Sequence, residues 1–163
     1  MDVLACQGDL ADEVADILVS PADTRLTMSG GAAASLRKSA GETLKTAADN
    51  HDRVEVGDAI LTPTSELFAD HVAHAVTKPE FEPATEATVR AAVRATLSLA
   101  VNEECKSLVF PLLGSGVGGI RDETSVRIML DEITAVDGLT EVRLITRSRR
   151  EYRQTADLVD KLR

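Results

Sequence analysis

The chain has 163 residues, a net charge of −9, 44% hydrophobic and 28% charged residues, values ordinary for one globular domain with a sizeable core over residues 1–163. The acidic balance argues against nonspecific binding to nucleic acid or anionic membranes, because both need a basic face. No apolar run approaches the roughly 18 residues of a membrane span, and "MDVLACQGDL" lacks a basic region followed by an apolar one, so the expectation is a cytoplasmic monomer with no membrane partner.

In chain order, β-branched and apolar runs predict strands near 2–6, 16–20, 58–62, 71–76, 107–112 and 141–146. Between them, "GGAAASLRKSAGETLKTAAD" predicts one helix from about Ala32 to Asp49. "TEATVRAAVRATLSLAVNEE" places Val89, Ala92, Val93, Thr96, Leu97, Ala100 and Val101 on one helical face, with Arg90 and Arg94 opposite. "DETSVRIMLDEITAV", capped by Asp122, and "REYRQTADLVDKL" predict two more. The proline-bearing "AVTKPEFEPATE", from Ala75 to Glu86, reads as a surface loop. Strands alternating with such helices predict a three-layer α/β/α sandwich around a largely parallel sheet.

Acidic residues are absent from Thr24 to Gly41 and from Cys105 to Arg121. Each of those runs contains a glycine-rich loop, and clearing acid from a loop makes room for an anion. The second loop, Gly114-Ser115-Gly116-Val117-Gly118-Gly119, fits G-x-G-x-x-G after a strand. A dinucleotide-binding oxidoreductase would open the fold with that motif and carry an acid about 20 residues on. Here one strand remains, "EVRLITR", and it ends in Thr146 and Arg147. A phosphate-binding P-loop fails too, since Ile120 and Arg121 stand where Lys and Ser or Thr are needed. A tight turn needs one or two glycines; four suit amides closing on a phosphate. In "MSGGAAASL", Ser29, Gly30 and Gly31 precede an alanine-rich helix whose first amides lack acceptors. Two such loops suit the two phosphates of a diphosphate.

Asp9 reads either as a helix N-cap or as a carboxylate accepting from an exocyclic amine such as that of adenine. His71 and His74 point to opposite faces of a strand, so no metal is expected. Ser20 has no visible His and Asp partners for a nucleophile's role. Cys6 and Cys105 lie far apart and read as buried free thiols.

"QGDL", "DILVSPADTRLTMSGGAAASLRKSAG", "VGDAILTP", "HVAHAV" and "SLVFPLLGSGVGG", in this order, resemble the macro domain family of ADP-ribose-binding modules. The resemblance covers nearly the whole chain and implies an α/β/α fold around a mixed sheet, with the ligand at the strand ends. It implies that Asp9 reads adenine beside the Leu10 amide. Ser29, Gly30, Gly31, Ala32, Ala33 and Ala34 pass a phosphate and the terminal ribose, while Gly114 to Gly118 hold the diphosphate. Tyr152 is the candidate for covering adenine. No cofactor is implied. The partner is free ADP-ribose, a related adenine diphosphate-ribose ligand, or an ADP-ribosylated protein.

The chain also departs from the family. Ser20-Pro21-Ala22-Asp23 replaces the usual Asn-Ala-Ala-Asn, Ala33 stands where the de-ADP-ribosylating branch has an acid, and Gly118 replaces a common aromatic. At the ligand's ribose, Asp23 can still accept hydrogen bonds from the hydroxyls, whereas Ser20 is shorter and does not reach as an amide would. Asp23 is also the remaining candidate base for hydrolysis of an ADP-ribosyl ester or of ADP-ribose 1″-phosphate. The sequence therefore supports binding more than catalysis.

Overall fold

The computed structural model describes residues 1–162. Six strands form one sheet: β1 (Asp2–Gln7), β2 (Ile17–Asp23), β3 (Ala59–Pro63), β4 (His71–Lys78), β5 (Ser107–Phe110) and β6 (Glu141–Thr146). Their order across the sheet is β1-β6-β5-β2-β4-β3. Every neighbouring pair is parallel except β3 with β4. The sheet is thus mixed, with one antiparallel edge strand.

Alternation along the strands builds two cores. On β2, Ile17 and Val19 face one core while Leu18 faces the other, as expected of a strand covered on both sides. The first core lies under α3 (Glu86–Asn102), α4 (Asp122–Thr134) and α5 (Arg149–Asp160). The second lies under α1 (Gly31–Ala40), and α2 (Glu42–Asp49) reaches both this core and a smaller cluster around Leu26 and Val76. These layers are the predicted α/β/α sandwich.

Three local expectations are corrected. The helix expected from Ala32 to Asp49 is two helices, because Gly41 sits at φ +69 between them and breaks the hydrogen-bond ladder. Asp122 is the first residue of α4; the N-cap is Arg121, which makes no side-chain cap bond. The strand expected to run to Leu112 stops at Phe110, since Pro111 has no N–H to give the ladder. Cys105 is a buried free thiol, whereas Cys6 is only half-buried. Burial and a hydrogen bond to Glu13 push the Cys6 thiol up to about 12.

The face formed by α3 and α4 carries one ion-pair cluster. Arg94 meets Glu132 at 2.8 Å and Arg90 meets it at 3.3 Å. Glu132 is 8% exposed and its carboxyl is held below its ordinary range, first by the Arg94 hydrogen bonds. On β4 the buried His74 shares a 2.9 Å hydrogen bond with Thr62, and burial lowers its pKa to about 4. It is a neutral core side chain.

Candidate functional site

Parallel strands end on the same edge of a sheet, and ligands of open α/β sheets sit at that edge. The segment after β1 carries Asp9, and β6 is followed by Arg147 and Ser148. Beyond β5 comes Gly114 to Gly119, beyond β2 the loop to Gly30, and beyond β4 the segment 79–85. Strand order sets the loops side by side, because β5 and β2 are neighbours. A Cβ on Gly30 would lie 3.6 Å from Val117 Cγ2. The two glycine loops therefore face each other.

The first loop is braced by Asp23. Its carboxylate accepts from the Arg25 amide at 2.9 Å and the Thr27 amide at 3.3 Å, and also from the Thr27 hydroxyl. The Thr27 hydroxyl in turn lies 3.1 Å from Ser29 Oγ. Leu26 and Met28 sit at φ +52 and +51, a region costly for side chains with a Cβ, and burial of both side chains holds them there. The loop ends at Gly30, the N-cap of α1, which has no capping side chain. The Ala34 amide returns to the Gly30 carbonyl at 3.3 Å, so the Gly31, Ala32 and Ala33 amides open the helix with no acceptor inside it. Gly30 and Gly31 are exposed, while the Ala33 side chain is buried.

In the second loop the glycines divide by role. Gly114 has φ +80, and a Cβ there would fall 2.3 Å from Val89 Cγ2. Packing of α3 requires that glycine. Gly116, at φ +61, has nothing within 4 Å of its missing Cβ. Around it the chain makes a 3-10 turn. The Gly118, Gly119 and Ile120 amides bond back to Ser115, Gly116 and Gly114 carbonyls, at 3.2, 3.1 and 2.8 Å. The Gly116 and Val117 amides are the first of that turn and have no acceptor within it. Ser115 donates its hydroxyl to the Leu112 carbonyl at 2.8 Å.

Asp9 caps a short 3-10 turn, Leu10–Asp12, accepting from the Ala11 amide at 3.0 Å. The same oxygen accepts from Ser35 Oγ of α1 at 2.8 Å. The other oxygen stands 3.7 Å from Arg147. These groups hold the Asp9 carboxyl below its ordinary range, the Ala11 amide first. The N-cap reading of Asp9 is therefore realised, with one carboxylate oxygen still turned toward Arg147. Tyr152 lies in the first turn of α5, half-buried. Ser20 is fully buried on β2, and its hydroxyl has no protein partner.

Sequence reasoning missed Thr27, Ser35 and Arg147. Ser35 sits inside an alanine-rich helix and Arg147 at a strand end, and only the fold brings both to Asp9. Two surface depressions lie elsewhere. One of about 400 Å³ runs along α1 beside Ser29, Arg37 and Lys38, and one of about 540 Å³ lies between the start of α4 and the end of α5. Neither contains both glycine loops. The convergence of open amides at the strand ends is the stronger indication of a site, since it supplies directed donors that a depression lined by an ion pair lacks.

The family model described as "Macro domain" matches residues 19–129. The chain belongs to the macro domain family. An uncharacterised protein of Aquifex aeolicus is 37% identical over 134 residues, covering 82% of this chain and 81% of its own length. An uncharacterised Mycobacterium bovis protein is 30% identical over 78% of this chain, which spans only 36% of that longer protein. Among solved structures, the Trypanosoma brucei macrodomain in complex with ADP-ribose superposes with a TM-score of 0.88 at 25% identity, over 96% of this chain and 68% of that one. A variant of the Oceanobacillus iheyensis macrodomain gives 0.88 at 23% identity, over 97% and 90%. The likeness to the latter is one of fold.

Proposed function

We propose that this macro domain binds ADP-ribose, free or attached to a protein, with the diphosphate between the two glycine loops and adenine at Asp9. The observation that carries this reading is the approach of Gly30 to Val117, which sets two groups of open amides across from one another. Amides at helix starts suit phosphate without any lysine. Two strand steps from β1 through β6 to β5, at about 4.8 Å each, separate Asp9 from the second loop by about 10 Å. That spacing suits an adenosine between them. The macrodomain of Trypanosoma brucei was solved with ADP-ribose and with ADP, which supports the same ligand class here.

Isothermal titration with ADP-ribose tests the proposal. Saturable heat is expected, with a mild salt dependence because amides hold the charge. No heat near 1 mM ligand, about −4 kcal/mol, overturns it. NAD binding more tightly than ADP-ribose would favour a dinucleotide-dependent oxidoreductase instead.

Binding without rapid hydrolysis is the second half of the reading. Both Asp23 oxygens take hydrogen bonds from their own loop, which leaves that carboxylate poorly placed as a base for water. Ala33 contributes no acid. Release assays on an ADP-ribosylated glutamate and on ADP-ribose 1″-phosphate should give turnover well below about 1 per second.

A further inference from the structure

The large apolar side chains most exposed to solvent are Phe81, at 90%, and Val117, at 76%. They occupy two loops that touch. The Ala84 amide donates to the Gly118 carbonyl at 2.9 Å, a Cβ on Gly118 would lie 3.4 Å from Ala84 Cβ, and one on Gly119 would lie 3.9 Å from Pro83 Cβ. The Phe81 loop is not loose chain. Lys78 Nζ donates to the Pro79 and Glu80 carbonyls at 3.0 Å each, Pro79 and Pro83 restrict the backbone, and the Thr85–Thr88 capping box fixes the start of α3. A phenyl ring held into water on a braced loop, in a chain with three Phe, one Tyr and no Trp, contributes nothing to the core.

Strand order says what lies beside it. Asp9 follows β1, the second glycine loop follows β5, the first follows β2, and Phe81 follows β4, the next strand out. A ligand laid along that edge, from Asp9 past both loops, brings the group beyond its diphosphate toward β4. Four strand steps of about 4.8 Å give about 19 Å from β1 to β4, the reach of an extended dinucleotide-sized molecule. Gly118 offers no side chain to that end.

Resting on the ADP-ribose reading, we infer that Phe81 packs against the C–H face of the sugar beyond the diphosphate and makes the site prefer ADP-ribose to ADP. The ring supplies apolar area that a ribose can cover and a free phosphate cannot.

The test is titration of wild type, Phe81→Ala and Phe81→Trp with ADP-ribose and with ADP. Phe81→Ala should weaken ADP-ribose about fivefold and leave ADP unchanged, with an unaltered thermal melt. The Phe81→Trp indole, the chain's sole tryptophan, should change its emission on adding ADP-ribose and not on adding ADP. If wild type binds ADP-ribose and Phe81→Ala binds it equally well, this inference falls and the binding reading stands. Equal weakening of both nucleotides also overturns the contact with the sugar. Wild type that takes up neither nucleotide overturns both readings.

Discussion

In the loop before α1, the glycines border open space: a Cβ on Gly31 meets nothing within 4 Å, and one on Gly30 meets only Val117, at 3.6 Å across the cleft. In the loop after β5, the first glycine is locked against α3, where Val89 leaves no room for a methyl. The loops look alike as sequence, small residues before a helical turn. One uses glycine to bare its amides. The other uses its first glycine to let the chain pass a helix and only the later Gly116 to bare amides. What a Cβ would meet separates a glycine required by the fold from one available to a ligand.

Gly114 is where the two loops should differ most. Alanine there carries a Cβ into Val89 Cγ2 at 2.3 Å and forces φ +80 on a residue that disfavours it. Overpacking costs about 1–3 kcal/mol and the left-handed backbone about 1–2. Gly114→Ala should lose about 3 kcal/mol, lowering Tm by about 6–12 °C for a domain of this size. An unchanged melt, followed by circular dichroism, would mean that α3 does not fix this position.

Gly116→Val sharpens the same contrast from the other side. Its side chain enters open space at φ +61, so the fold loses only the backbone term, about 1–2 kcal/mol. The side chain would stand over the Gly116 and Val117 amides. ADP-ribose affinity should fall at least thirtyfold, about 2 kcal/mol, in titration of the folded variant. Wild-type affinity would remove this loop from the phosphate site.

The division between fold and ligand also explains what could be read from the chain. Layering was legible because short apolar strand runs alternate with helical patterns along the chain and the apolar stripe of α3 repeats at helical spacing. The loops were legible because acid-free, glycine-rich runs are a local property. The break at Gly41 was not, because alanine and lysine on both sides favour helix and one internal glycine costs only about 1 kcal/mol. Gly114's reason was hidden as well, since Val89 comes from another helix. Asp23 looked free to meet a ribose, yet its oxygens are turned back onto Arg25 and Thr27. Long-range convergence leaves no trace in spacing.

Asp9 gives the smallest effect, because it belongs to both categories. It caps the Leu10–Asp12 turn through the Ala11 amide and takes the Ser35 hydroxyl, while its second oxygen, 3.7 Å from Arg147, is the one that the proposed binding mode assigns to an adenine amine. Asn in its place keeps one acceptor for Ala11 and Ser35 and replaces the second oxygen with a donor. Asp9→Asn should therefore melt within about 2 °C of wild type and bind ADP-ribose about tenfold more weakly, near 1.5 kcal/mol. A lower Tm with unchanged affinity would leave only the capping role. The acid side of the pH profile adds a second check. The Asp9 carboxyl is held below its ordinary range, first by the Ala11 amide and then by Ser35. A depressed folded pKa means that its contribution is complete above the unfolded carboxylate value, about 3.9, and is lost as pH falls through the lower folded one. Between pH 7 and pH 5 the carboxylate stays charged, so wild-type affinity should be flat across that window. A fall in affinity centred near pH 6 would mean that a group other than Asp9 governs recognition of the base.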